Sequence, residues 1–383
     1  MSPCSSGNAV TNGESDFESR GFTDGYDADY TKVQRVIDSM KTSPTPILAR
    51  PLRPGDAIGY FSPSSSATHF APKRYERARA YLRGQGFELV SGCLSGQSDH
   101  YRSGSIRDRA DELNALIANP DVRCIMSTIG GSNSSSLLPY LDYDGLMADP
   151  KLIVGYSDVT SILLGIYQRT GLVTFYGPAL VASFGEFGPV VDQTFQYFSS
   201  LVMAEKSTRY TYTLPESWSD EMIPWEEQDR PKTLRPNPCA FLGEGSVSGR
   251  LIGGNLNTLW CIWGSPYMPA IRDGDVLLIE DSLKHIATVE RLFVFLKLNG
   301  IFDRVSAILL GKHELFDDGG SGRSPIDVLR EVLAGQEVPI VDGFDCCHTH
   351  PMMTMPLGVR VTIDFDKEQV KVIEPWLSTG HAA

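Results

Sequence analysis

From residue 57 onward, short apolar runs alternate with stretches whose apolar residues recur every three to four positions. The runs Ala57–Phe61, 122–128, Leu152–Gly155, 276–279, 305–310, 338–341 and 359–365 are strand-length and rich in aliphatic residues. Between them, 73–83 places Tyr75, Ala78 and Leu82 on one helical face. Ile106, Ala110, Leu113 and Ile117 keep the same spacing until Asn119-Pro120 stops it. Ser157 stands where it could cap a helix running through Tyr167, and Gly171 closes that helix. Further helices are predicted over 288–298, stopped by Asn299-Gly300, and over Pro325–Leu333. Strands joined by helical crossovers of this length imply an α/β fold with a largely parallel sheet covered by helices. No internal repeat is visible.

The pattern breaks in two places. Residues 1–28 are rich in Ser, Gly, Asn and Asp and read as a mobile tail, followed by a short amphipathic helix carrying Val33, Val36, Ile37 and Met40. Four prolines over 42–56 end this arm. Around 204–240, Pro215, Pro224, Pro231, Pro236 and Pro238 fall among acidic residues with Trp218 and Trp225, a composition suited to a lid or binding loop. The expected organisation is an arm (1–45), an N-terminal domain (46–204), a Trp-containing lid or linker (205–240) and a smaller C-terminal α/β domain (241–383).

Composition narrows the function. Thirty-four basic against 47 acidic residues give a net charge of −13 over 383 residues, which disfavours a nucleic acid polymer as partner. No apolar run reaches the roughly 18–20 residues of a membrane span, and the first twenty residues lack a secretory pattern. Seven scattered cysteines without a C-x-x-C argue against a disulfide framework and a zinc ribbon. A cytoplasmic protein is expected.

Candidate chemistry gathers at three points. Residues 127–140 run from a strand through Gly130-Gly131 into Ser132-Asn133-Ser134-Ser135, a turn able to hold a phosphate or an oxyanion, or simply a capped turn. G-x-x-x-x-G-K, G-x-G-x-x-G, G-x-S-x-G and S-x-x-K are all missing, which disfavours nucleotide loops, α/β-hydrolases and penicillin-binding enzymes. Glu280-Asp281 follows an apolar strand, where α/β folds place active groups. His348-Thr349-His350 could present two metal ligands, but no third lies at a recognisable spacing, so no metal is expected.

Taken together, the blocks GGSNSSSLLPYLDYD (130–144), GYSDVTSILLG (155–165), GRLIGGNLNTL (249–259), LLIEDSLK (277–284), 296–318 and HTHPMMTMPLG (348–358) resemble the LD-carboxypeptidase serine peptidases, in their microcin C immunity branch. The resemblance implies a parallel-sheet N-terminal domain, a C-terminal domain with a β-barrel-like sheet, and a Ser-Glu-His triad without cofactor. Carried over by motif, it makes Ser134 the nucleophile, Glu280 the acid and His348 the base. Ser135 and Gly131 become the oxyanion donors. It also implies a homodimer and a small aminoacyl- or peptidyl-nucleotide substrate, its base stacked on Trp225 in preference to Trp218, with Lys284 and Asn257 lining the pocket. A murein tetrapeptide carboxypeptidase is the alternative substrate reading, and a non-catalytic nucleotide-binding protein the alternative of another class. One departure stands out: Cys347 precedes His348 where the family usually has glycine.

Overall fold

The computed structural model describes residues 46–379, so the arm over 1–45 and His381 lie outside the described residues. The strands are β1 (Ala57–Phe61), β2 (Glu88–Ser91), β3 (Val122–Ser127), β4 (Leu152–Gly155), β5 (Thr174–Tyr176), β6 (Tyr210–Thr211), β7 (Ser217–Trp218) and β8 (Arg235–Pro236). They continue as β9 (Ala240–Leu242), β10 (Ser246–Asn255), β11 (Val276–Glu280), β12 (Ala307–Gly311), β13 (Ile340–Phe344), β14 (Met355–Leu357), β15 (Arg360–Asp364) and β16 (Gln369–Val372).

The first sheet has the order β14-β5-β4-β3-β1-β2. Its strands β1 to β5 pair in parallel, while β14, from far along the chain, closes the edge antiparallel to β5. Parallel strands are covered on both faces, which is why β1, β4 and β5 are buried at every position. The helices Pro72–Gly84, Ile106–Ala118 and Thr160–Thr170 supply crossovers, and Gly171 ends the last at φ 80°.

The second sheet has the order β6-β16-β15-β10-β11-β12-β13-β9 and curls into a half-barrel. Strand β10 is its seam. Residues 246–250 pair antiparallel with β15, and 251–255 pair parallel with β11. The parallel part, β10 to β13, is an ordinary α/β layer under the helices Ile286–Leu298 and Pro325–Leu333.

Two local expectations are corrected. Ser157 makes no cap bond; the helix begins at Thr160, and Ser157 occupies the turn before it. The strand near 359–365 is not the last, because β16 follows and pairs with it. Among the described residues no helix is long and apolar enough to cross a membrane.

The functional consequence is convergence. The carboxyl ends of β3, β4 and β11 and the loop after β13 meet where open α/β sheets place their sites.

Candidate active site

Strand β4 ends at Gly155, and the chain turns sharply through Tyr156 and Ser157 into a helix. Ser157 has φ 61°, a left-handed conformation that costs a residue with a Cβ on the order of 1 kcal/mol. Neighbours hold it there: its N–H donates to the Tyr176 hydroxyl (3.2 Å) and its carbonyl accepts from Thr160 Oγ1 (2.6 Å). Such a strained strand–turn–helix elbow lifts a serine hydroxyl out of the backbone.

The Ser157 hydroxyl faces an imidazole. His348 Nε2 lies 2.9 Å from Ser157 Oγ, and His348 Nδ1 lies 2.5 Å from Glu280 Oε2. Glu280 is fully buried at the end of β11, and its other oxygen accepts from the Tyr176 hydroxyl (2.5 Å) and Asn255 Nδ2 (3.2 Å). Burial alone would raise the Glu280 pKa, but the imidazole and these donors hold it below the ordinary carboxylate value. For His348, burial works against the charged ring, yet the Glu280 carboxylate prevails and raises the pKa. The Tyr156 ring meets His348 edge-on, with centroids 4.8 Å apart.

Ser134 does not face His348. It is fully buried at the start of a 3₁₀ turn, its N–H donating to Asp158 Oδ2 and its hydroxyl to the Asp158 carbonyl, both at 2.9 Å. The serine that the structure sets against His348 is Ser157, followed by Asp158, while the Ser134 hydroxyl is turned to the Asp158 carbonyl. Gly130 shows why this turn needs glycine: a Cβ there would sit 2.8 Å from Ser157 Cβ and 3.1 Å from the Asp158 nitrogen. At Gly131, φ is +146° and a Cβ would meet Ser64 Oγ at 2.2 Å.

Ser157, His348, Tyr156, Gly130 and Gly131 line a cavity of about 440 Å³ that also takes in Asn255, Asn257, Asp281, Lys284 and Glu314. Asn257 donates its backbone N–H to Asp281 Oδ2 (3.2 Å), and Lys284 Nζ stands 3.5 Å from Asp281 Oδ1. Burial raises the Glu314 pKa. From the lid segment come Met222, Ile223 and Trp225. Trp225 stacks on Phe70 (5.9 Å, 28°) and has the Arg74 guanidinium 4.6 Å from its ring centre. Trp218 does not line this cavity. Its ring packs under Arg235 at 4.0 Å and lies 5.3 Å from Lys312 Nζ, and its Nε1 donates to the Pro236 carbonyl, so it ties the β7–β8 hairpin together and to Lys312.

His350 also lines the cavity, with Nε2 3.6 Å from Glu186 Oε1. Burial pushes its pKa down to about 3, leaving it neutral. Glu186 is paired with the buried Arg74 and lies 3.3 Å from Lys232, an ionic cluster that single-sequence reading missed. Cys347 is not among the non-glycine residues with positive φ, so its backbone accepts a side chain; its buried thiol has its pKa pushed up to about 12. Among the described residues, no cluster of three or more His, Cys, Asp or Glu side chains could hold a metal.

A strained serine at a strand–helix turn, facing a buried His–Glu pair, defines a serine hydrolase. The chain matches the LD-carboxypeptidase N-terminal domain over residues 58–177 and the LD-carboxypeptidase C-terminal domain over 248–363, and it belongs to that family. It is 60% identical to the microcin C7 self-immunity protein MccF of Escherichia coli, over 87% of this chain and 98% of that protein. The structure of MccF without ligand superposes with a TM-score of 0.86, covering 87% of this chain and all of the other. An MccF-like protein of Bacillus anthracis is 30% identical with a TM-score of 0.77, over 86% of this chain and 99% of that one. MccF has been solved with glutamyl sulfamoyl guanosine and with aspartyl sulfamoyl adenosine. A tryptophan-to-phenylalanine variant of it has been solved with adenosine monophosphate. An active-site variant of it carries alanine in place of a serine, an asparagine and a lysine.

Proposed function

We propose that this enzyme hydrolyses the amide joining an aminoacyl or peptidyl group to a nucleotide-like leaving group, through an acyl-enzyme on Ser157. The observation that carries the reading is the continuous chain Ser157 Oγ–His348–Glu280 opening into a cavity that Trp225 also lines. His348 Nε2 takes the Ser157 proton as Oγ bonds to the acyl carbon. The tetrahedral oxygen is met by backbone N–H groups of Gly131 and Asp158. His348 then returns the proton to the leaving nitrogen as the C–N bond breaks, and water reverses the sequence to free the acid. Glu280 holds Nδ1 protonated and stabilises the imidazolium. No metal or organic cofactor enters these steps.

On the leaving-group side, Trp225 and Phe70 supply aromatic surface for a base, and Lys284 and Asn257 face its phosphoryl or sulfamoyl link. The ligands of MccF support this substrate class. The same reading includes a cytoplasmic homodimer, checked by sedimentation equilibrium of the full chain. The deciding experiment sets glutamyl-sulfamoyl-adenosine beside an L-Lys-D-Ala muropeptide. Turnover of the nucleotide conjugate is expected, and turnover of the muropeptide alone would instead make this a murein carboxypeptidase.

A further inference from the structure

Ser134 lies beside the reacting serine without taking part in the chain of proton transfer. Its two hydrogen bonds both end on one residue, Asp158: backbone N–H to the carboxylate and hydroxyl to the carbonyl, each 2.9 Å. Both partners are buried. The bonds join two loops that are otherwise separate in sequence. One runs from β3 through Gly130-Gly131 to Ser134, and the other from β4 through Ser157-Asp158. Each loop carries one of the backbone N–H groups assigned to the oxyanion.

The surroundings make this junction rigid. Gly130 abuts Ser157 and the Asp158 nitrogen so closely that a Cβ would not fit. From the opposite side, Ser64 Oγ accepts from the N–H groups of Ser132 (3.0 Å) and Asn133 (3.2 Å) and donates to Asn133 Oδ1 (2.8 Å). Arg109, fully buried, donates to that same Oδ1 (2.7 Å) and to the Pro63 carbonyl (2.6 Å). The glycine loop is therefore held on its outer side by Ser64 and Arg109, and on its inner side by Ser134.

We infer that Ser134 is a positioning residue, clamping Asp158 so that the Gly131 and Asp158 N–H groups keep the spacing a tetrahedral oxyanion requires. Donors aimed in advance at the oxyanion act without reorganisation, and small displacements are costly because hydrogen bonding is steep in distance and angle. The clamp acts on the transition state and leaves ground-state binding untouched. This inference rests on Ser157 being the nucleophile.

The test uses the full-length protein with Ser134→Ala, Ser134→Thr, Asp158→Ala, Asp158→Asn and, as reference, Ser157→Ala. Ser134→Ala should lower kcat roughly tenfold with KM nearly unchanged, as a misplacement below 1 Å does. Affinity for a boronate analogue of the acyl group should fall by the same factor, while product affinity holds. Asp158→Asn keeps an acceptor oxygen for the Ser134 N–H and should restore most of the rate lost in Asp158→Ala. Ser134→Thr, which keeps the hydroxyl, should likewise recover most of the loss if it folds. The double alanine variant breaks both bonds and should be slower than either single one. An unchanged boronate affinity, or a loss that falls on KM in place of kcat, would overturn the clamp while leaving Ser157 in its role. Retained turnover and fluorophosphonate labelling in Ser157→Ala would instead overturn the nucleophile assignment on which it rests.

Discussion

The two walls of the cavity are built by opposite means. The wall that carries Ser157, His348 and Glu280 is assembled from strand ends and tight turns, its polar groups buried and satisfied by several fixed partners. The wall that carries Trp225 belongs to an irregular segment between the two sheets, anchored at Gln228 and Lys232 on the buried Arg74–Glu186 pair and elsewhere held by exposed groups. Glu221 there accepts from Arg230 (2.7 Å) and from the Thr233 N–H (2.6 Å), and Lys73 donates its N–H to Glu226 (2.9 Å). Further links tie it to the catalytic side, among them Lys312 Nζ 5.3 Å from the Trp218 ring centre. Ser219 and His350 exchange backbone hydrogen bonds of 2.8 and 3.0 Å, and Asn237 reaches Asp345 at 2.9 Å. The first wall holds its polar groups by several buried hydrogen bonds each, whereas the second presents aromatic area. Damage to the first should therefore appear in kcat, and damage to the second in the choice of substrate.

The strongest test of that division is Ser157→Ala. It should remove about a thousandfold or more of the rate while leaving conjugate affinity nearly intact, measured by single-turnover kinetics and calorimetry. Comparable activity in the variant would break the comparison at its first wall. Glu280→Gln comes next, with an expected loss of roughly a hundredfold to a thousandfold in kcat. It also has a pH signature. His348 must be neutral to act as base, and Glu280 raises its pKa, so kcat/KM should climb with pH through a midpoint above the ordinary histidine value. Removing the carboxylate charge leaves burial as the main influence, and the midpoint should move to lower pH. A shift upward would contradict the assigned pairing.

At the lid wall, Trp225→Ala should lower kcat/KM for a nucleotide conjugate by about 1–3 kcal/mol, roughly tenfold to a hundredfold. It should change little for a small aminoacyl amide lacking the base. Trp218→Ala is the internal control, since its ring faces Arg235 and not the cavity, and it should leave this selectivity ratio in place. Equal losses on both substrates for Trp225 would mean that the lid supports the triad. The smallest effect is expected of Lys284→Ala, about tenfold on an anionic conjugate and less on a neutral one. Its partial exposure and its contact with Asp281 limit what one lysine contributes.

The same contrast explains what could be read from the chain. The strands around Glu280 and the glycine turn at 130–131 carry their signal locally, as apolar runs ending in chemistry, and β4 and the helix Pro325–Leu333 fall where periodicity places them. Ser157 was legible only as a cap, because a serine between an apolar strand and a helix is usually one. Its positive φ is imposed by Tyr176 and Thr160, which no window of sequence brings together. The Gly-Gly-x-Asn-Ser motif makes Ser134 the expected nucleophile, whereas in three dimensions its hydroxyl points at the Asp158 carbonyl. The Arg74, Glu186, Lys232 and His350 cluster joins four distant segments and leaves no local trace. Strand β14 was missed for the same reason, as its partner β5 lies some 180 residues earlier and Met-Pro-Leu is too short to announce a strand.

That pairing has a consequence for how the protein is made. Glu280 and His348 are synthesised long after the elbow they serve, and β14, which seals the edge of the first sheet beside β5, emerges later still. In a chain made from its N-terminus, the Ser157 elbow is therefore complete before the imidazole that faces it and before the strand that pairs with the β5 edge. Because β14 begins shortly beyond His348, the strand that closes the sheet edge and the imidazole that faces Ser157 arrive on one stretch of chain.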